Sequence, residues 1–170
     1  MKHTKKITFC AILSALCTVI MLLSFFPYFT YAVPAFSSLV MMIILIELGA
    51  KWAFFSYLTS SFLVFLFAET ESKILFILFF GFYPIMKALI EKIDKTLIEW
   101  PLKLALFNAM VLLAYFVLTK LFMLPLGDFG DLQKYGTLIL LLLANVVFVL
   151  YDIVISKMAV TYLQKFHSKV

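Results

Sequence analysis

The sequence ITFCAILSALCTVIMLLSFF, residues 7–26, predicts a transmembrane helix. Its twenty residues carry no charge, and a helix needs about 20 mostly apolar residues to cross the bilayer core. Ala11 and Ala15 lie four residues apart and therefore share one helix face. Because membrane helices associate where small residues let their backbones approach, this face predicts a helix–helix contact. The contact is either ordinary packing within the chain or docking of a separate membrane partner.

The composition of the whole chain agrees with a membrane protein. Of its 170 residues, 65% are hydrophobic and 14% are charged, and the mean hydropathy is +1.13. Soluble domains are about 45–50% apolar and about 25% charged. We therefore predict an all-α integral membrane protein that forms a single domain, residues 1–170, with no room for a soluble catalytic domain.

The apolar runs divide the chain into six predicted transmembrane spans. They lie at residues 7–26, 35–48, 52–68, 74–90, 102–123 and 137–159. With the amino terminus inside, eleven of the fourteen lysines fall on the cytoplasmic side, as the positive-inside rule requires. We therefore predict a plasma-membrane protein with both termini cytoplasmic. Since the lysines flank apolar runs, the net charge of +5 is interpreted as a topology signal, and no nucleic-acid partner is expected.

Signatures of catalysis, of metal binding and of cofactor binding are missing from the sequence. The histidines, His3 and His167, lie in the terminal tails, and Cys10 and Cys17 lie in the first span without a Cys-x-x-Cys spacing. We find no zinc-protease motif and no phosphate-binding glycine loop. The sequence therefore predicts a protein that is not an enzyme and has no catalytic residues, metal site or cofactor of its own.

Polar residues at membrane depth are costly and need partners or a function. Asp152 lies in the sixth predicted span, and Asn145 lies two turns before it on roughly the same face. Lys87 is at a comparable depth and is the predicted partner of Asp152. Asn108 lies in the fifth span. Asn145 sits nearer the outer half and is the better ligand candidate.

Polar and aromatic residues also collect at the predicted outer ends of the spans. Such groups are either merely solvated or line a small-molecule pocket. The predicted substrate-binding residues are Tyr28, Tyr31, Glu69, Glu71, Lys120, Asp128, Asp131, Tyr135 and Asn145. The predicted outer ends carry four carboxylates and three lysines, and this excess of negative charge favours a cationic or neutral ligand.

The pattern as a whole resembles the substrate-binding S component of an energy-coupling factor transporter. The resemblance rests on the Ala11-x-x-x-Ala15 motif within AILSALCTVI, residues 11–20, and on Pro27 and Pro34 in the first link. It also rests on the turn in ELGAKWAFFSYLTSS, residues 47–61. It implies a small six-span protein for vitamin uptake. In that family the alanine motif docks on a shared transmembrane coupling subunit, which is driven by two cytoplasmic ATP-binding-cassette (ABC) ATPases.

The expected function is therefore capture of a vitamin or related micronutrient at the extracellular side. By the resemblance, Ala11 and Ala15 form the docking face, and the partner subunits hydrolyse the ATP. The alternative is a non-transporting membrane scaffold, similar to the rod-shape determinants. In that case the polar segment 91–103 would be the contact surface.

Overall fold

The computed structural model describes residues 3–26, 28–93, 95–117 and 133–167, apart from the side chains of 133–140 and 167. Every regular element in these ranges is helical, which confirms the all-α prediction. The helices are α1 (His3–Leu22), α2 (Ala32–Leu48), α3 (Ala50–Phe67), α4 (Thr70–Leu75), α5 (Tyr83–Ile90), α6 (Thr96–Phe116) and α7 (Gln133–His167). A π-helix, Phe76–Phe80, lies between α4 and α5, and short 3₁₀ turns cover Leu23–Phe25 and Glu91–Ile93.

Five helical segments of the described chain are long and apolar enough to cross a membrane. They are His3–Phe25, Ala50–Phe67, Thr70–Ile93, Thr96–Phe116 and Leu141–Phe166. The α2 helix is apolar but has only 17 residues. It begins three residues earlier than predicted, because Pro34 is accommodated in its first turn. Residues 118–123 of the predicted fifth span lie outside the described residues. These helices identify a membrane protein.

The chain forms two compact units, Met1–Glu99 and Trp100–Val170, and each is considered on its own. In the first unit, α1 packs against both α2 and α3, and α2 packs against α3. The α1 side chains that meet these neighbours include Cys17 and Met21, which are fully buried. They join Met41 and Ile44 of α2 in one apolar core.

Gly49 makes the sharp turn between α2 and α3. Its φ of 88° lies in the left-handed region, which glycine adopts without the steric cost of a Cβ atom. Its N–H donates to the Leu45 carbonyl (3.0 Å), so the last turn of α2 closes on it. The predicted turn at this position is confirmed.

In the second unit, side chains of α6 and α7 meet in an antiparallel register. Lys103 contacts Asp152, Phe107 stacks on Phe148 with ring centroids 4.5 Å apart, and Asn108 contacts Asn145. As the residue number rises along α6, the number of the contacting residue in α7 falls. This alternation of ionic, aromatic and amide contacts defines the register of the two helices.

Candidate functional site

Three of the predicted site residues come together at one end of the first unit. The Tyr31 hydroxyl donates to Glu71 Oε2 (3.0 Å), and the Ser72 N–H donates to Glu69 Oε2 (3.0 Å). The Glu69 side chain thereby caps α4, as acidic residues commonly do at a helix start. We call these four residues, Tyr31, Glu69, Glu71 and Ser72, the Tyr31–Glu71 cluster.

The link between α1 and α2 holds this cluster in place. The Ser72 hydroxyl donates to the Thr30 carbonyl (2.6 Å), and the Glu69 N–H donates to the Ser24 hydroxyl (3.4 Å). Ser24 and Ser72 are buried, so these bonds also satisfy polar groups that have left water. The start of α4 is therefore tied to the end of α1 and to the beginning of α2.

The electrostatics of the cluster favour a neutral phenol. Partial burial raises the pKa of Tyr31 above its ordinary value of 10.0, and the hydrogen bond and charge of Glu71 raise it further. Because both glutamates are acidic, the cluster suits a cationic or hydrogen-bonding neutral molecule better than an anion. Tyr28, in the same link, is 94% exposed.

The remaining predicted site residues are not joined to this cluster by the described contacts. Lys120, Asp128 and Asp131 lie outside the described residues. Tyr135 belongs to α7, and its side chain is likewise outside the description. Their roles in substrate binding stay predictions. Within the part of the chain that the structure describes, no group of three or more His, Cys, Asp or Glu side chains could hold a metal ion.

Asn145 is engaged by protein groups. Its Nδ2 donates to Asn108 Oδ1 (3.1 Å) and to the Leu141 carbonyl (2.8 Å), and its Oδ1 accepts from Asn108 Nδ2 (3.0 Å). Asn108 Nδ2 also donates to the Leu104 carbonyl (2.8 Å). Since both amide N–H groups of each side chain are used, the pair favours a packing role. Ligand binding by Asn145 stays a prediction.

Asp152 forms a buried ion pair with Lys103 of α6. The Nζ–Oδ2 distance is 3.2 Å, and both side chains are about 95% buried. The Lys103 ammonium also lies 5.6 Å from the Trp100 ring centroid, which is within cation–π range. Sequence reasoning counted Lys103 among the topology lysines and missed this role. Its position inside the predicted span 102–123, where a charge is costly, was the available signal.

Lys87, the predicted partner of Asp152, forms an ion pair with Glu91 one helical turn later. The Nζ–Oε1 distance is 2.8 Å, and the Lys87 side chain is buried while Glu91 is exposed. Lys87 and Asp152 belong to different compact units. The contact between them therefore stays a prediction.

The α1 helix has two unlike faces. Ser14, Cys17 and Met21 are buried against the neighbouring helices. Ala11 and Ala15 are both exposed and lie about 100° around the helix from these buried residues. Within the first unit, the predicted small-residue face is therefore not buried by α2 and α3.

Serine hydroxyls lie inside the junction of α1, α2 and α3. The Ser14 hydroxyl donates to the Ser56 carbonyl (3.4 Å). The hydroxyls of Ser37, Ser56 and Ser60 are buried and have no hydrogen-bond partner among the described residues. Because serine side chains are small, they let the three helices pack closely where these residues meet.

Comparison of the chain with protein-family models, curated proteins and solved structures finds no match. The features that bear on function are therefore the helices, the exposed face of α1 and the Tyr31–Glu71 cluster.

Proposed function

We propose that this chain is the substrate-capture subunit of an energy-coupling-factor-type importer. Six spans with both termini in the cytoplasm would place the Tyr31–Glu71 cluster at the extracellular end of the first unit. A vitamin or related micronutrient would bind there and be delivered through a shared transmembrane coupling subunit. Two ABC ATPases would supply the energy, and the chain itself would hydrolyse nothing.

The exposed small-residue face of α1 is the observation that carries this proposal. A face that only meets lipid can hold large apolar side chains, as Phe55 and Phe62 do on α3. Ala11 and Ala15 instead leave room for another backbone to approach. Because α1 packs on α2 and α3 through a different face, which carries Cys17 and Met21, a partner helix can contact the alanine face without unpacking these three helices.

The Tyr31–Glu71 cluster supports the proposed capture of a substrate at the extracellular end of the first unit. It combines two carboxylates, a phenol and a serine hydroxyl, and its hydrogen bonds connect α4 to the preceding link. Polar groups that converge beside apolar and aromatic surface are what a small-molecule site requires. The acidic pair favours a substrate with a positive charge or with several hydrogen-bond donors.

The docking face is tested by co-purification with the coupling subunit and its ATPases. Replacing Ala11 or Ala15 by Trp places a bulky side chain on the proposed contact, so the co-purified fraction should fall at least tenfold. Leu16→Trp is the matched control, since Leu16 is also exposed on α1 but points about 100° away from Ala15. Unchanged association in both alanine variants would contradict the docking proposal.

The capture role is tested by thermal unfolding of the purified protein with a panel of water-soluble vitamins and their precursors. A ligand at 100 times its Kd stabilises the folded state by about 2.7 kcal/mol. One compound should therefore raise the Tm, and Glu71→Gln should reduce that rise. A panel in which no compound raises the Tm would argue against capture of this substrate class.

The scaffold alternative is supported by the exposed segment that leads into α6. Lys92 and Lys95 are exposed there, and Leu97 is 91% exposed. A cytoplasmic partner could bind such a surface. If Leu97→Ser abolished association with a cytoplasmic partner while Ala15→Trp left that association intact, the scaffold function would be favoured.

A further inference from the structure

The π-helix at Phe76–Phe80 changes the hydrogen bonding in the middle of the Thr70–Ile93 helical segment. In an α-helix the Gly81 N–H would donate to the Ile77 carbonyl, four residues earlier. Here it donates to the Phe76 carbonyl (2.8 Å), five residues earlier. The Phe82 N–H donates to the Phe79 carbonyl (3.1 Å). The Ile77 carbonyl is thereby released from the usual α-helical pattern.

Tyr57 of α3 supplies a bond to this released carbonyl. Its hydroxyl donates to the Ile77 oxygen at 2.6 Å, and its ring lies 5.7 Å from that of Phe82 and 6.3 Å from that of Phe54. A carbonyl that has left the helical pattern inside a membrane needs another donor. Tyr57 therefore stabilises the π-helical register from a neighbouring helix.

Gly81 allows the chain to pass close to Phe76 at the end of the π-helix. A Cβ atom at this position would lie 2.9 Å from Phe76 Cζ and 3.0 Å from the Phe76 oxygen. Phe76 is fully buried, so its ring has little room to move. Pro84 then lies in the first turn of α5, where its missing N–H costs least. The segment thus contains the residues that permit a local change of helical register.

The amino-terminal end of the Thr70–Ile93 segment carries part of the Tyr31–Glu71 cluster. Glu71 and Ser72 lie in the first turn of α4, directly before the π-helix. The π-helix holds one residue more per hydrogen-bonded turn than an α-helix would. If it became α-helical, α4 would rotate by about 100° relative to α5 and shift by about 1.5 Å along the axis. Such a rotation would separate Glu71 from Tyr31 and Ser72 from Thr30.

We propose that the π-helix is a two-state hinge, held in its present register by Tyr57 and coupled to the Tyr31–Glu71 cluster. In the π-helical register the hydrogen bonds of the cluster are formed, and in the α-helical register they are broken. Reciprocal coupling follows by linkage, because any contact made only in one register biases both ends. The hinge goes beyond substrate capture, since it requires no ligand and no partner subunit.

Amide hydrogen exchange in lipid nanodiscs tests the hinge, with peptides that cover residues 69–75 and 76–82 followed separately by mass spectrometry. Tyr57→Phe removes only the hydroxyl and keeps the ring. Exchange should rise about fivefold in both peptides, the factor that corresponds to a hydrogen bond of about 1 kcal/mol. Tyr31→Phe, a change outside the spanning helices, should raise exchange in both peptides in the same way.

Thr59→Val is the matched control. It removes a hydroxyl from the same helix as Tyr57, but the Thr59 hydroxyl is exposed and donates to the Phe55 carbonyl one turn earlier in its own helix. Its exchange pattern should equal that of the unmodified chain. A rise confined to the peptide next to each substitution would overturn the coupling. Unchanged exchange at 76–82 in Tyr57→Phe would overturn the hinge itself.

Discussion

Replacing Lys103 by Met is expected to destabilise the protein strongly. The substitution keeps most of the side-chain volume but leaves the Asp152 carboxylate without its ammonium partner at 3.2 Å. Both side chains are about 95% buried, so water cannot replace the lost contact. At this distance and an effective dielectric constant of about 20, the attraction is about 5 kcal/mol before desolvation is subtracted. Breaking one side of such a buried pair typically costs about 3–5 kcal/mol.

The free energy of unfolding can be measured by titrating the folded protein in mild-detergent micelles with a denaturing detergent. We expect Lys103→Met to lower it by about 3–5 kcal/mol. The double variant Lys103→Met, Asp152→Leu should recover most of the loss, because it removes both buried charges. Lys157→Met, at an exposed lysine of α7, should change it by no more than about 0.5 kcal/mol.

Two results would refute this reasoning. The first is a loss below about 1 kcal/mol for Lys103→Met, which would place the pair among solvated surface ion pairs. The second is a double variant whose loss equals the sum of the two single losses, since partners in contact should show a large interaction energy.

Three further predictions concern other contacts. Asn108→Leu should lower the free energy of unfolding by about 1–2 kcal/mol, and adding Asn145→Leu should restore part of it, as measured by the same titration; equal and additive losses would contradict the amide pair. Gly81→Ala should cost about 1–3 kcal/mol because its Cβ meets buried Phe76, and a neutral result would mean that the helix relaxes freely. Because the pKa of Tyr31 is raised in the folded protein, the phenol ionises more readily in the unfolded chain. The contribution of Tyr31 to the free energy of unfolding is therefore complete below pH 10 and declines as the pH rises above that. The free energy of unfolding of Tyr31→Phe, measured against pH, should lack this decline.

The helical class and most helix positions could be predicted because long apolar runs leave a membrane chain few choices. The Gly49 turn was also readable, since glycine adopts a positive φ without steric cost. The π-helix itself was not, because FILFF, residues 76–80, is uniformly apolar and carries no signal of register. Its register depends on the Tyr57 hydroxyl, which comes from a different helix.

The candidate site was predictable only in part. Glu69, Glu71 and Tyr31 were predicted from polarity near the span ends. The structure joins Tyr31 to Glu71 by a hydrogen bond, and Glu69 caps the same helix, α4, through Ser72. The bond between Asn108 and Asn145 could not be read from the sequence, since it depends on how α6 and α7 are aligned. The same alignment pairs Asp152 with Lys103.

Docking of α1 on a coupling subunit can be tested by site-specific photocrosslinking at residue 15 in intact cell membranes. A small diazirine-bearing aliphatic residue at Ala15, which avoids the bulk of Trp, should form a crosslink to a transmembrane subunit that also binds ABC ATPases. The same residue at Phe62, which is exposed on α3, should react with lipid. Crosslinks from Ala15 only to lipid, or only to a second copy of this chain, would contradict the claim that α1 docks on a coupling subunit.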